Sequence, residues 1–109
     1  MSDRAAPLRA NVSAAILDGP CKLDRATRRQ AYDGALPAGP IADYATTVRR
    51  HAYRVDDELV AAARRAGLDD EGLFEVAVAA AVGQATRQLD AALAALDAAL
   101  APATSGEAT

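Results

Sequence analysis

The chain of 109 residues carries one histidine, His51, and one cysteine, Cys21. In the stretch "DYATTVRRHAYRVDD" His51 follows Tyr44 by seven residues and Thr47 by four. On a helix, positions i, i+3 and i+7 lie on one face, so the imidazole and the two hydroxyls share a side. An imidazole is suited to proton transfer near neutrality, and flanking hydroxyls can hydrogen-bond and orient a small ligand. His51, Tyr44 and Thr47 are therefore the candidate catalytic residues, and the chemistry open to them is cofactor-free acid–base work. The structural alternative stands beside this reading. A lone helical histidine at the edge of an apolar face most often packs and hydrogen-bonds, here to a carboxylate such as Glu75 or Asp57.

Cys21 follows "DGP" and has Lys22 and Arg25 near it in sequence. Positive neighbours favour a reactive thiolate, which would allow single-thiol redox chemistry. A small half-buried residue is the usual role of a free cysteine. One histidine and one cysteine thirty residues apart make no metal shell. The acids of "RVDDEL" read as a helix cap and dipole complement rather than a calcium loop. No metal and no cofactor is expected.

The elements that hold these residues read as helices. Alanine dominates, aromatics make up 4%, and no alternating β-branched run occurs. Pro7 suits a first helical turn, and "DGP" at 18–20 ends that helix. Asp24 caps a short second helix running to about Tyr32. "DGALPAGP" at 33–40 is a loop. A third helix runs from Pro40 or Ile41 to about Arg54 and places Ile41, Tyr44, Val48, Ala52 and Val55 on one face. Tyr53 is expected to fill the core at the following corner. Asp56 or Asp57 caps a fourth helix over about 57–66, with Gly67 as its terminator. Asp69 caps a fifth, with Leu68 stapled to Leu73. This last helix meets no proline until Pro102.

Thirty residues of helix span roughly 45 Å, well beyond the roughly 26 Å diameter of a compact 100-residue domain. Val78, Val82, Ala85, Leu89, Leu93, Leu96 and Leu100 form a stripe of coiled-coil type along it. Part of the helix should project or pack on another subunit. Ala79 and Gly83 leave a flat strip for close approach of another helix backbone. Glu75, in the apolar run "LFEVAV", is expected to face inward and to need His51 or an arginine as partner.

The expectation is one all-α domain of about five helices over 7–101, with a flexible N-terminus at 1–6 and a disordered tail at 102–109. The formal charge of −3, with no aromatic platform interleaved with the basic clusters for stacking bases, argues against nucleic acid. Arg25, Arg28 and Arg29, like Arg49, Arg50, Arg54, Arg64 and Arg65, read as solvated faces. The longest apolar stretch, "VAVAAAVG", is far short of the roughly 20 residues that cross a membrane. With no signal-like N-terminus, a reducing cytoplasm is the expected location.

From about Asp24 to Leu100 the chain resembles the alkylhydroperoxidase D-like / carboxymuconolactone decarboxylase family. "YATTVRRHAYRVDDELVAAARRAGLDDEGLFEVAVAAAV" is similar to that family's histidine, short helix, acidic turn and alanine-rich long helix. "TRQLDAALAAL" is similar to its closing stretch. The resemblance implies an oligomeric helical fold, a dimer, trimer or hexamer. Peroxidase members use Cys-x-x-Cys-x-x-x-His after an upstream glutamate. Here Tyr44 and Thr47 fall at the two cysteine positions, and Arg29, Gln30 or Tyr32 at the glutamate. Neither hydroxyl can replace thiol–disulfide exchange, so no disulfide peroxidase activity is expected. The resemblance implies a non-peroxidase member acting as an oligomeric binding or accessory protein, with a small molecule or another protein as possible ligand. The alternative is a decarboxylase- or isomerase-like enzyme using His51 on a small organic acid or lactone, and a weaker one is redox chemistry at Cys21.

Overall fold

The computed structural model describes residues 4–19 and 21–101. Five α-helices follow in order: α1 Ala6–Asp18, α2 Arg25–Asp33, α3 Pro40–His51, α4 Asp57–Arg65 and α5 Asp70–Leu100. No strand occurs among the described residues. The all-α expectation holds, as does the long final helix. The tail at 102–109, the first three residues and Pro20 lie outside the described residues.

Helix starts follow local chemistry. The Asp24 carboxylate accepts the Thr27 N–H at 2.7 Å, Asp56 accepts that of Leu59 at 2.8 Å, and Asp69 accepts that of Gly72 at 2.8 Å. Each satisfies one of the orphan donors of a first turn. α1 and α3 lack a side-chain cap and have proline in the first turn instead, where its missing N–H is no loss. Gly34 ends α2 in the left-handed region, φ 72°, and its N–H and that of Ala35 close back onto Ala31 and Gln30. α3 stops three residues short of the sequence expectation. His51 leaves helical geometry at φ −146°, ψ 64°, and Ala52–Arg54 tighten into a 3-10 turn closed by the Val55 N–H on the Ala52 carbonyl. That turn redirects the chain into the extended Asp56 cap of α4.

α5 is the spine. α2 and α3 pack on its first half, α4 packs on α3 and the start of α5, and α1 lies against α2 and α5. The core consists of Ala31, Tyr44, Ala45, Ala63, Leu68, Leu73, Val76, Ala79 and Ala80. Five of these nine are alanines, so backbones must approach closely to fill it. Gly83 marks the closest approach. A Cβ there would overlap the Tyr32 carbonyl oxygen and lie 2.7 Å from its carbon. The flat strip expected at Ala79 and Gly83 is thus occupied by α2 of the same chain.

Two expectations are corrected. Tyr53 is not in the core but 79% exposed, because the 3-10 turn swings it outward. Arg28 is not on a solvated face. It is 5% exposed, and its Nη1 donates to the carbonyls of Ile16 at 3.1 Å and Gly19 at 2.6 Å. The guanidinium thereby binds the open C-terminal end of α1, where a cation complements the helix dipole.

The molecule measures 62 × 28 × 21 Å, and its radius of gyration is 17.6 Å, against about 13 Å for a compact chain of 100 residues. The excess comes from α5, whose buried residues end at Gly83. No helix among the described residues is long and apolar enough to cross a membrane.

Two outcomes follow from this packing. Gly83→Ala gains about 1 kcal/mol of helix propensity, but its methyl meets backbone rather than a yielding side chain. We expect a net loss of about 2 kcal/mol or more, read as a fall in Tm of roughly 10 °C. Hydrogen bonds from Thr27 lower the Asp24 carboxyl below its ordinary 3.8, and the Lys22 ammonium and the Gly72 N–H do the same for Asp69. A depressed folded-state pKa means stabilisation that is present above the unfolded value and lost as pH falls through the folded one. Asn also caps helices. The Asp24→Asn, Asp69→Asn chain is therefore expected to keep its fold at neutral pH and to show a flatter loss of Tm below about pH 4.

Candidate functional site

The three candidate residues sit on α3 with different surroundings. Tyr44 is buried, and its hydroxyl donates to the Leu73 carbonyl of α5 at 2.9 Å. Burial raises its pKa, so the phenol stays protonated. Thr47 is half-buried, and its hydroxyl donates back to the Asp43 carbonyl one turn earlier at 2.8 Å. His51 is exposed at the end of the helix. Its ring meets the edge of Tyr53 at 5.8 Å, with 71° between the planes, and the Arg54 guanidinium stands 5.6 Å from the centre of the Tyr53 ring.

Helical spacing thus puts the three on neighbouring turns, but packing sends their polar atoms to different places. The two hydroxyl protons are spent on backbone carbonyls. His51 instead joins an exposed group, His51–Tyr53–Arg54, that the sequence reading did not pick out. Its signal was the near-adjacency of the three residues, hidden by the assumption of a continuous helix to Arg54.

Glu75 is half-buried, as its place in an apolar run suggested, but its partner is neither His51 nor an arginine. Oε2 accepts the Lys22 N–H at 2.9 Å and Oε1 accepts the Leu23 N–H at 2.8 Å. The carboxylate therefore anchors the segment before α2 onto α5. Loop amides can satisfy a carboxylate as a guanidinium can, and nothing in sequence spacing distinguishes them.

Cys21 is exposed. It borders an open concavity of about 800 Å³ with Lys22, Asp70, Glu71, Phe74 and Glu75. The Lys22 ammonium is engaged by Asp69 at 2.5 Å, and acids supply three of the six lining residues. The electropositive surroundings that activate thiols are not what this concavity offers. Among the described residues no group of three or more histidine, cysteine or acidic side chains is placed to hold a metal ion.

A second hollow, about 270 Å³ and almost wholly apolar, separates α1 from α5. Leu8, Val12, Val82, Ala85 and Leu89 line it. Beyond it the stripe continues through half-buried Leu93 to exposed Leu96 and Leu100. The fold thus leaves Leu89, Leu96 and Leu100 of this stripe exposed.

No family model, curated protein or solved structure matches the chain.

Separate placement of the α3 residues has a measurable consequence. Tyr44→Phe is expected to cost about 1 kcal/mol in urea unfolding, the value of one buried neutral hydrogen bond. His51→Ala should change stability by less than about 0.5 kcal/mol, as exposed positions do.

Proposed function

We propose that the chain is a non-peroxidase protein of the alkylhydroperoxidase D-like / carboxymuconolactone decarboxylase kind, acting in the cytoplasm as a homo-oligomeric binding or accessory component. The observation that carries this reading is the leucine stripe of α5. Leu89, Leu96 and Leu100 are exposed, Leu100 at 62%, and Leu8 of α1, exposed at 66%, lines the hollow beside Leu89. Apolar side chains left exposed along one helix in this way support an interaction site. The 3-4 spacing suits a helical partner of the same period, which a second copy provides. A dimer, trimer or hexamer would cover it.

Support for the non-peroxidase half comes from chemistry. The motif positions hold Tyr44 and Thr47, whose hydroxyls are bound to backbone, and the single thiol lies on another segment. An acid–base role for His51 is the second reading, favoured by the accessibility of its ring. Such a site would need walls from a neighbouring subunit, since the Tyr44 and Thr47 hydroxyls are already engaged. Single-thiol chemistry at Cys21 has only the exposure of its sulfur in its favour.

Sedimentation equilibrium tests the association directly. The chain is expected to run as a defined oligomer, and Leu96→Lys with Leu100→Lys to run as a helical monomer. A wild-type monomer at every attainable concentration would overturn the reading. Thiol-dependent peroxide consumption would overturn its non-peroxidase part.

A further inference from the structure

Arginines from two helices converge where α2 ends. A Cβ built on Gly34 would overlap Nη1 of Arg49 and lie 3.8 Å from Nη2 of Arg87, so the two guanidinium nitrogens stand within about 6 Å of each other, near enough for their like charges to repel. Arg87 has a structural duty. Its Nη1 donates to the Tyr32 carbonyl at 2.5 Å and its Nη2 to Gln84 at 3.1 Å. Arg49 has none. It is half-buried on α3, and among the described residues no hydrogen bond or ion pair engages it. The charged groups that act on it are Arg50 and Arg87, and no carboxylate is among them. Asp33, the acid nearest in sequence to Gly34, is paired with Arg29 at 3.0 Å.

Thr46, one turn before Arg49, lines the same small hollow together with Gly34, Leu36, Ala42 and Ala45. Its hydroxyl likewise has no hydrogen-bond partner among the described residues. The hollow measures about 20 Å³, room for one water-sized atom. A whole ligand does not fit, but one oxygen of an oxyanion does, with the rest of the group lying over the guanidiniums.

We propose that Arg49, Arg87 and the Thr46 hydroxyl form a binding site for a phosphate group, at the junction of α2, α3 and α5. Two guanidiniums match a dianion in charge, and the planar fork of Arg49 can donate two parallel hydrogen bonds to its oxygens. The bound anion would relieve the repulsion between the two arginines. Gly34 is required because any side chain there would displace Arg49. The site uses no residue of the leucine stripe, so it gives the proposed binding protein a ligand class without depending on its self-association.

Isothermal titration calorimetry at constant ionic strength tests the site, with inorganic phosphate, glycerol phosphate and acetate as titrants into the full chain. Phosphate is expected to bind saturably, and acetate at least tenfold more weakly. Tighter binding of glycerol phosphate than of inorganic phosphate would assign the site to a phosphomonoester, and the reverse order to the free ion. Arg49→Gln should weaken phosphate binding at least tenfold, whereas Arg25→Gln, on an exposed face, should leave it unchanged. Arg49→Lys should fall between, since it keeps the charge but loses the fork.

A second readout separates ligand binding from simple helix capping. In chloride buffer Arg49→Gln should hold or raise Tm, because it removes a repulsion; a capping arginine would lower it. Absence of saturable phosphate binding, equal binding by Arg49→Gln, or a fall in its Tm in chloride would overturn the proposal. Sedimentation of the same samples distinguishes that failure from failure of the oligomeric reading.

Discussion

The fold depends on the contact between the backbone of Tyr32 and the bare Cα of Gly83. α2 can lie along α5 only because position 83 has no side chain. That approach brings Ala31, Ala79 and Ala80 into a common core, where methyl groups suffice to fill the space. It also puts the Tyr32 carbonyl within reach of Arg87 and the α1 face of α2 against the rest of the bundle, with Ser13 and Tyr32 hydroxyls 2.9 Å apart. A core built on alanine gains little per residue from burial, so its stability must come from closeness and from well-satisfied ends. Glu75 on the loop amides and Arg28 on the α1 carbonyls serve that need.

The same economy explains what is left uncovered. Short helices α1 to α4 can blanket about half of α5, and Val76 is the sole large side chain buried to completion among the described residues. The remaining turns of α5 carry leucines, the bulkier residues, on the outside. A sequence that places alanine in the core and leucine beyond it leaves its larger apolar side chains where its own chain does not reach. The proposed self-association would cover these leucines.

Local elements were readable in the sequence because local signals set them. Asp24 and Asp69 cap the helices they were expected to cap, Asp56 is the one of the two expected acids that caps α4, Gly67 follows the end of α4 with positive φ, and α5 runs unbroken to Leu100. Long-range pairings were not readable. Arg28, with a solvated arginine on either side, turns inward because α1 ends above it. Glu75, expected to face inward, is half-buried, yet its donors lie more than fifty positions earlier. Tyr53 and the end of α3 were misjudged for one reason: a helix-compatible sequence gives no warning of a turn imposed by the geometry of the next cap. For the candidate site, spacing placed Tyr44, Thr47 and His51 on one helix but could not tell which hydroxyls the backbone would claim. The Arg49–Arg87 approach was invisible, since it is created by a glycine on a third element.

If self-association is as proposed, the second half of α5 owes its stability to cover by another copy. Hydrogen–deuterium exchange, followed residue by residue at two protein concentrations, tests it most directly. The account gives slow exchange for amides 88–100 in concentrated solution and much faster exchange on dilution, while amides 76–83 stay equally protected in both. Fast exchange over 88–100 at every concentration, or protection that dilution does not touch, would contradict it.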